Sequence, residues 1–102
     1  MKGSTPEAIV LDVYTKRDCP LCDKAFAAIE RVRARLPDVM LRVERRDIES
    51  NSLWLERYRT LIPILETAGE RLCVYEVNER QLVKRVRAIW QARMRATRRE
   101  ST

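Results

Sequence analysis

The chain has no histidine. That removes every Cys–His protease, every Ser–His–Asp hydrolase and every His-ligated metal site from consideration. Acid–base chemistry near neutral pH is left to cysteine, a perturbed carboxylate or a perturbed lysine. Long apolar runs are also missing. The longest are short, as at Ala25–Ile29 and Leu61–Leu65, so nothing is expected to span a membrane. Residues Met1 to Glu7 lack the apolar stretch of a secretion signal. There is no internal repeat and no linker, and the only biased segment is a basic tail. Cysteine is scarce and odd in number, at three. An odd count argues against a disulfide framework and suits a reducing, cytoplasmic setting.

What remains is enough for one folded domain. The 102 residues are 45% hydrophobic and 35% charged, which suits a single core and leaves no room for a second domain. The net charge is +6, but it is unevenly spread. Residues 80–102 hold 8 Lys/Arg and one acid, giving +7, whereas the other 79 residues hold 13 Lys/Arg and 14 Asp/Glu, giving −1. The basicity belongs to the last helix and tail. Arg80, Lys84 and Arg87, with the arginines beyond, read as a solvated helix face. Without aromatic interleaving they do not make a nucleic-acid motif.

Hydropathy patterning gives the element order. Ala8 to Thr15 reads as a buried strand broken once by Asp12. Cys19-Pro20 marks a helix start, and Leu21, Ala25, Ala28, Ile29, Val32 and Leu36 recur at helical spacing until Pro37-Asp38. Val39 to Asp47 alternates as a half-exposed strand. Ser50, Asn51 and Ser52 offer N-caps for a short helix with Trp54, Leu55 and Tyr58. Ile62 to Thr67 reads as a strand, Ala68-Gly69-Glu70 as a turn, and Arg71 to Glu76 as a returning strand. Asn78 and Gln81 open a last helix carrying Leu82, Val83, Val86, Ile89 and Trp90. The fold class is therefore α/β. Its order is β-α-β-α-β-β-α, with one mixed four-stranded sheet and helices on both faces. The domain is expected over 1–94, its core over about 8–94, with 95–102 a basic, disordered tail.

The chemistry concentrates in Cys19-Pro20-Leu21-Cys22. The spacing brings both sulfurs onto one helical turn. The helix N-terminus stabilises a Cys19 thiolate, and Lys16 and Arg17 add positive charge, against which Asp18 works. Pro20 supports the first turn by pre-setting φ. Two other readings stand beside redox chemistry. One is a pair of free core thiols. The other is half a zinc site, with Cys73 as a third ligand, although no histidine or second CxxC completes it. Cys73 itself alternates with Leu72 and Val74 as an inert packed thiol.

The run Val13-Tyr14-Thr15-Lys16-Arg17-Asp18-Cys19-Pro20-Leu21-Cys22-Asp23 resembles the active-site segment of glutaredoxins. More closely, it is similar to a family of short, single-domain glutaredoxin-like proteins with the pattern YT-x3-C-x-LC-[DE]. Asp47-Ile48-Glu49-Ser50, Glu56-Arg57-Tyr58 and Ile62-Pro63-Ile64-Leu65 extend the likeness over most of the chain. The resemblance implies a thioredoxin-like fold and thiol–disulfide oxidoreductase activity, with Cys19 attacking and Cys22 resolving. It implies a cis Ile62–Pro63 bond beside the dithiol, with the Ile62 backbone pairing with substrate, and a Lys16 contact to a glutathione carboxylate. By the same likeness Asp12 would assist proton transfer from the resolving thiol, although the strand pattern favours a satisfied or solvent-reaching Asp12. No metal or bound cofactor is required. The partners implied are a disulfide-bearing protein or small disulfide as substrate, and glutathione or a disulfide reductase as electron donor. The chain itself is expected to be a monomer, not bound to nucleic acid or membrane. The sequence departs from glutaredoxins at Tyr75-Glu76-Val77-Asn78, where they carry a Gly-Gly pair, so glutathione binding is expected to be weak. A non-catalytic adaptor using the basic last helix is the alternative reading.

Overall fold

The computed structural model describes residues 7–101. The stretch tested above for a secretion signal lies outside them, apart from Glu7. Seven elements carry the fold: β1 (Ile9–Thr15), α1 (Pro20–Ala34), β2 (Leu41–Asp47), α2 (Ser52–Tyr58), β3 (Ile64–Thr67), β4 (Glu70–Val74) and α3 (Glu79–Ser101). A 3-10 turn over Ile48–Ser50 links β2 to α2. The sheet order is β2-β1-β3-β4. β1 runs parallel to β2 and antiparallel to β3, and β3 and β4 form an antiparallel hairpin. This is the order and sheet that the hydropathy pattern implies.

The period of two in β1 decides how the layers stack. Ile9, Leu11, Val13 and Thr15 point to one face and are buried, while Val10, Asp12 and Tyr14 point to the other and are half-buried. Leu11 and Val13 join Ile29 and Val32 of α1 and Leu82, Val86 and Trp90 of α3 in the main core. Burying each such aliphatic side chain contributes roughly 1.5–3 kcal/mol. A second, smaller cluster gathers Cys22, Ile48, Tyr58, Ile62 and Ile64, with Tyr14 and Trp54 against it. Helices therefore cover both faces, and the dithiol end of α1 belongs to the second cluster.

Local chemistry explains the element ends. Asn51 Oδ1 accepts the N–H groups of Leu53 and Trp54 at 3.0 and 3.1 Å and starts α2. Asn78 Oδ1 accepts the Gln81 N–H at 3.0 Å and starts α3. Ala68 and Gly69 both adopt positive φ, 51° and 81°, the pattern of a type I′ hairpin turn.

One element differs from the sequence reading. α3 continues to Ser101, through the segment read as a disordered tail. Nothing after Asn78 breaks a helix, and Ala and Arg are strong helix formers. Extending a helix already nucleated on the core is also cheap. Just before that segment, Arg93 Nη1 donates to the carbonyls of Glu7 and Ala8 at 2.8 and 2.9 Å and ties α3 to the residues that lead into β1.

Candidate redox-active site

The site is made where β1 stops. Lys16, Arg17 and Asp18 are exposed, and Asp18 takes a left-handed conformation, φ 54°. Asp tolerates that region better than most residues. The turn delivers Cys19 as the N-cap of α1, with extended φ and ψ of −118° and 97°. Its sulfur accepts the Cys22 backbone N–H at 3.2 Å, the position that a Ser or Asp oxygen fills in an ordinary cap. Pro20 follows in the first turn, where its missing N–H costs nothing.

Cys19 and Cys22 lie at disulfide distance, with their Cα atoms 5.2 Å apart, inside the normal range for a bridge. Their environments differ. Cys22 is 1% exposed, while Cys19 is only partly buried. One sulfur can meet a partner molecule and the other is reached through it. When the pair is reduced, the Cys22 N–H and the helix dipole both favour a Cys19 thiolate.

A second loop completes the surroundings. The Ile62–Pro63 peptide is cis, as the family resemblance implies. Ile62 is in the same cluster as Cys22, with Cys19 packed against it. Lys16 is exposed in the turn that leads into Cys19.

A model of the glutaredoxin-like domain matches residues 10–87. The chain belongs to the glutaredoxin-like domain family. Solved structures agree on the fold. A structural-genomics target protein from X. campestris is 23% identical over 76% of this chain and 96% of its own, with a TM-score of 0.59. A protein of Nitrosomonas europaea is 22% identical over 79% of this chain and 94% of its own, with a TM-score of 0.61. Thioredoxin from Trypanosoma brucei brucei is 20% identical over 84% of this chain and 78% of its own, with a TM-score of 0.52. The thioredoxin-like α/β fold inferred from the sequence is therefore shown.

Within this glutaredoxin-like domain, Asp12 is half-buried on β1. It shares a face of β1 with Val10 and Tyr14, opposite the face that packs against α1. Its Oδ1 pairs with Arg46 Nη2 at 2.9 Å and Nε at 3.0 Å. The Asp12 carboxylate is satisfied by this ion pair. Among the described residues, no three of His, Cys, Asp and Glu gather as metal ligands would.

The sequence reading missed two features. Tyr14 stacks on Tyr58 at 4.6 Å and meets Trp54 edge-on at 5.4 Å, forming an aromatic floor beside the dithiol cluster. Burial, helped by the negative charge of Glu66, pushes the Tyr14 phenol above its ordinary pKa, so it stays neutral. The second feature is Tyr75. Its φ is 71°, uncommon for a bulky residue. Its N–H donates to the Pro63 carbonyl at 2.8 Å, and its hydroxyl donates to the Thr60 carbonyl at 3.0 Å. The loop after β4 is thereby fastened to the loop that carries the cis proline. A bulky residue where glutaredoxins have glycine is the one signal that could have found it.

Proposed function

We propose that this protein is a thiol–disulfide oxidoreductase working by dithiol exchange. The observation that carries this reading is the asymmetric pair: a partly exposed, N-capping Cys19 at disulfide distance from a buried Cys22. The Cys19 thiolate attacks one sulfur of a substrate disulfide. The new S–S bond forms as the substrate bond breaks, and the released thiolate takes a proton from solvent. Cys22 then loses its proton and attacks Cys19 Sγ. The substrate leaves with its second thiol, reduced by two electrons, and the chain is left as the Cys19–Cys22 disulfide. A dithiol reductase, or two molecules of glutathione, returns those electrons.

In this reading the Ile62 backbone, next to Pro63, pairs with the incoming chain. Lys16 supplies a positive charge to a substrate carboxylate. Neither role needs a metal or a bound cofactor. A cytoplasmic monomer suits the chemistry, because a reducing compartment keeps the dithiol charged with electrons. Among the described residues, no helix is long and apolar enough to cross a membrane.

The test is to trap the intermediate. Cys22→Ser should leave a Cys19 that accumulates mixed disulfides with a model protein disulfide, visible by intact mass. Cys19→Ser should trap none. Trapping by Cys19→Ser, or by neither variant, would remove the assignment. The adaptor reading draws on the exposed cations of α3, Arg80, Lys84, Arg87, Arg95 and Arg98. It is separated by the double Cys19→Ser, Cys22→Ser variant, which an adaptor tolerates and an oxidoreductase does not.

A further inference from the structure

The glutaredoxin-like match ends at residue 87, while α3 runs on to Ser101. From Arg80 to Arg99 the chain has no Asp or Glu. Arg80, Lys84, Arg87, Arg95 and Arg98 follow one another at i, i+4, i+7, i+15 and i+18. At helical pitch they fall within an arc of roughly 80°, in a row roughly 27 Å long. All five are exposed. The side of α3 turned to the sheet carries Leu82, Val86 and Trp90, buried in the main core. Among the described residues none of the five has an ion-pair partner, whereas Arg85 on the flank meets Glu70 Oε2 at 2.7 Å.

Such a row works against the helix that carries it. Like charges three or four positions apart repel, as Arg80 and Lys84, Lys84 and Arg87, and Arg95 and Arg98 do here. The helix dipole favours cations at the end of α3, so it suits Arg98 and opposes Arg80. A polyanion laid along the row relieves both. The surroundings of the row select among polyanions. Its exposed neighbours are Ala88, Gln91 and Met94, and of these only Met94 is large and apolar. A protein interface is anchored by apolar and aromatic side chains at its centre, which this row lacks. A helix lying in a membrane surface needs a free apolar face, and that of α3 is occupied by the core. No aromatic side chain lies on the row to stack single-stranded bases. The phosphates of a duplex require none of these, and the forked donors of Arg suit them.

We infer that the cationic row on α3 binds the phosphate backbone of double-stranded nucleic acid, without reading its sequence. The sequence shows no nucleic-acid motif; the register of the continuous helix is what lines the cations up. The inference does not rest on the dithiol-exchange reading, because the row shares no residue with that site. Arg93, just before Arg95, is bonded to Glu7 and Ala8 ahead of β1, and Cys19 follows the other end of that strand.

The experiment is fluorescence anisotropy of a labelled DNA duplex titrated with the full chain between about 50 and 200 mM KCl. Five phosphate contacts predict a slope of log Kd against log salt of about 4.5. Arg95→Gln with Arg98→Gln removes two of them, so the slope should fall by about 2 and the affinity at the lowest salt by at least tenfold. Arg35→Gln with Arg59→Gln removes the same charge from exposed positions at the ends of α1 and α2. That pair should leave the slope unchanged and the affinity within about threefold, since no phosphate contact is lost. Circular dichroism checks that both double variants keep their helix. An RNA duplex of the same sequence is the second arm, and the tighter of the two identifies the natural form. No binding of either duplex at the lowest salt, or equal losses in the two double variants, would overturn the inference. So would tighter binding to poly-glutamate or to phosphatidylserine vesicles, which would give the row to an acidic protein or a membrane.

Discussion

Cys19 caps the first turn of α1, partly open to solvent, with a backbone N–H on its sulfur. Cys73 sits on β4, packed against the main core, and its thiol is pushed above its ordinary pKa chiefly by burial. A backbone hydrogen bond from Asn78 and the charge of Arg85 oppose that shift without cancelling it. The two thiols are chemically identical in isolation. Position alone separates them: a helix N-terminus offers dipole and donors to a thiolate, and a packed strand withdraws water from it. What the contrast teaches is that reactivity here comes from the strand-to-helix turn, not from cysteine as such.

The largest effect should come from exchanging the two in their roles. Cys19→Ser should abolish disulfide reduction, whereas Cys73→Ser should leave the rate within about twofold, since only the first removes a nucleophile. Loss of activity in Cys73→Ser, with the fold intact by circular dichroism, would break the comparison. Next in size is selectivity of alkylation. At mildly acidic pH, iodoacetamide should label Cys19 in the reduced protein well before Cys22 or Cys73, as read by peptide mass mapping. Equal labelling of Cys19 and Cys73 would mean that the helix terminus does not act as described.

A smaller effect concerns stability against pH. Burial raises the Cys73 pKa, so the folded chain holds that proton more tightly than the unfolded chain does. Stability from this source is present below the unfolded value of about 8.5 and is lost as pH climbs through the raised folded value. Urea unfolding midpoints should therefore decline above about pH 8.5. Part of that decline should be missing in Cys73→Ala. The smallest effect is at Lys16, an exposed side chain. An exposed ion pair contributes at most about 1 kcal/mol, so Lys16→Ala should slow a glutathione-coupled assay by about fivefold or less. The wild-type rate in that assay should already be slow beside one driven by a reductase. Fast glutathione coupling, lost in Lys16→Ala, would show that the Tyr75 loop leaves room for the tripeptide.

The legible parts of this molecule are those governed by local pattern. The β1 strand, the Asn51 and Asn78 caps and the Cys19-Pro20 start are each set by residues a few positions apart, and the structure repeats them. The end of α3, residues 95–101, reads in the sequence as a basic tail and is helical in the structure. Backbone propensity and continuity from the packed part of the helix carry it on, and just before it Arg93 makes hydrogen bonds to residues 85 and 86 positions away. Such contacts have no signature in a sequence window. Tyr75 was hidden for a similar reason. A left-handed tyrosine breaks the rule by which glycine marks such places, and its partners Thr60 and Pro63 lie on another loop. Asp12 was half legible: its place in the strand was plain, while Arg46 on β2, 34 positions away, was not.

The central claim is that Cys19 is the attacking thiol of a catalytic dithiol. The most direct measurement is multiple turnover of a protein disulfide by catalytic amounts of the chain, with electrons supplied by a thioredoxin reductase or by glutathione with its reductase. The account predicts many turnovers for the wild type and for Cys73→Ser, and none for Cys19→Ser. No turnover by the wild type with either donor, or turnover that survives Cys19→Ser, would contradict it.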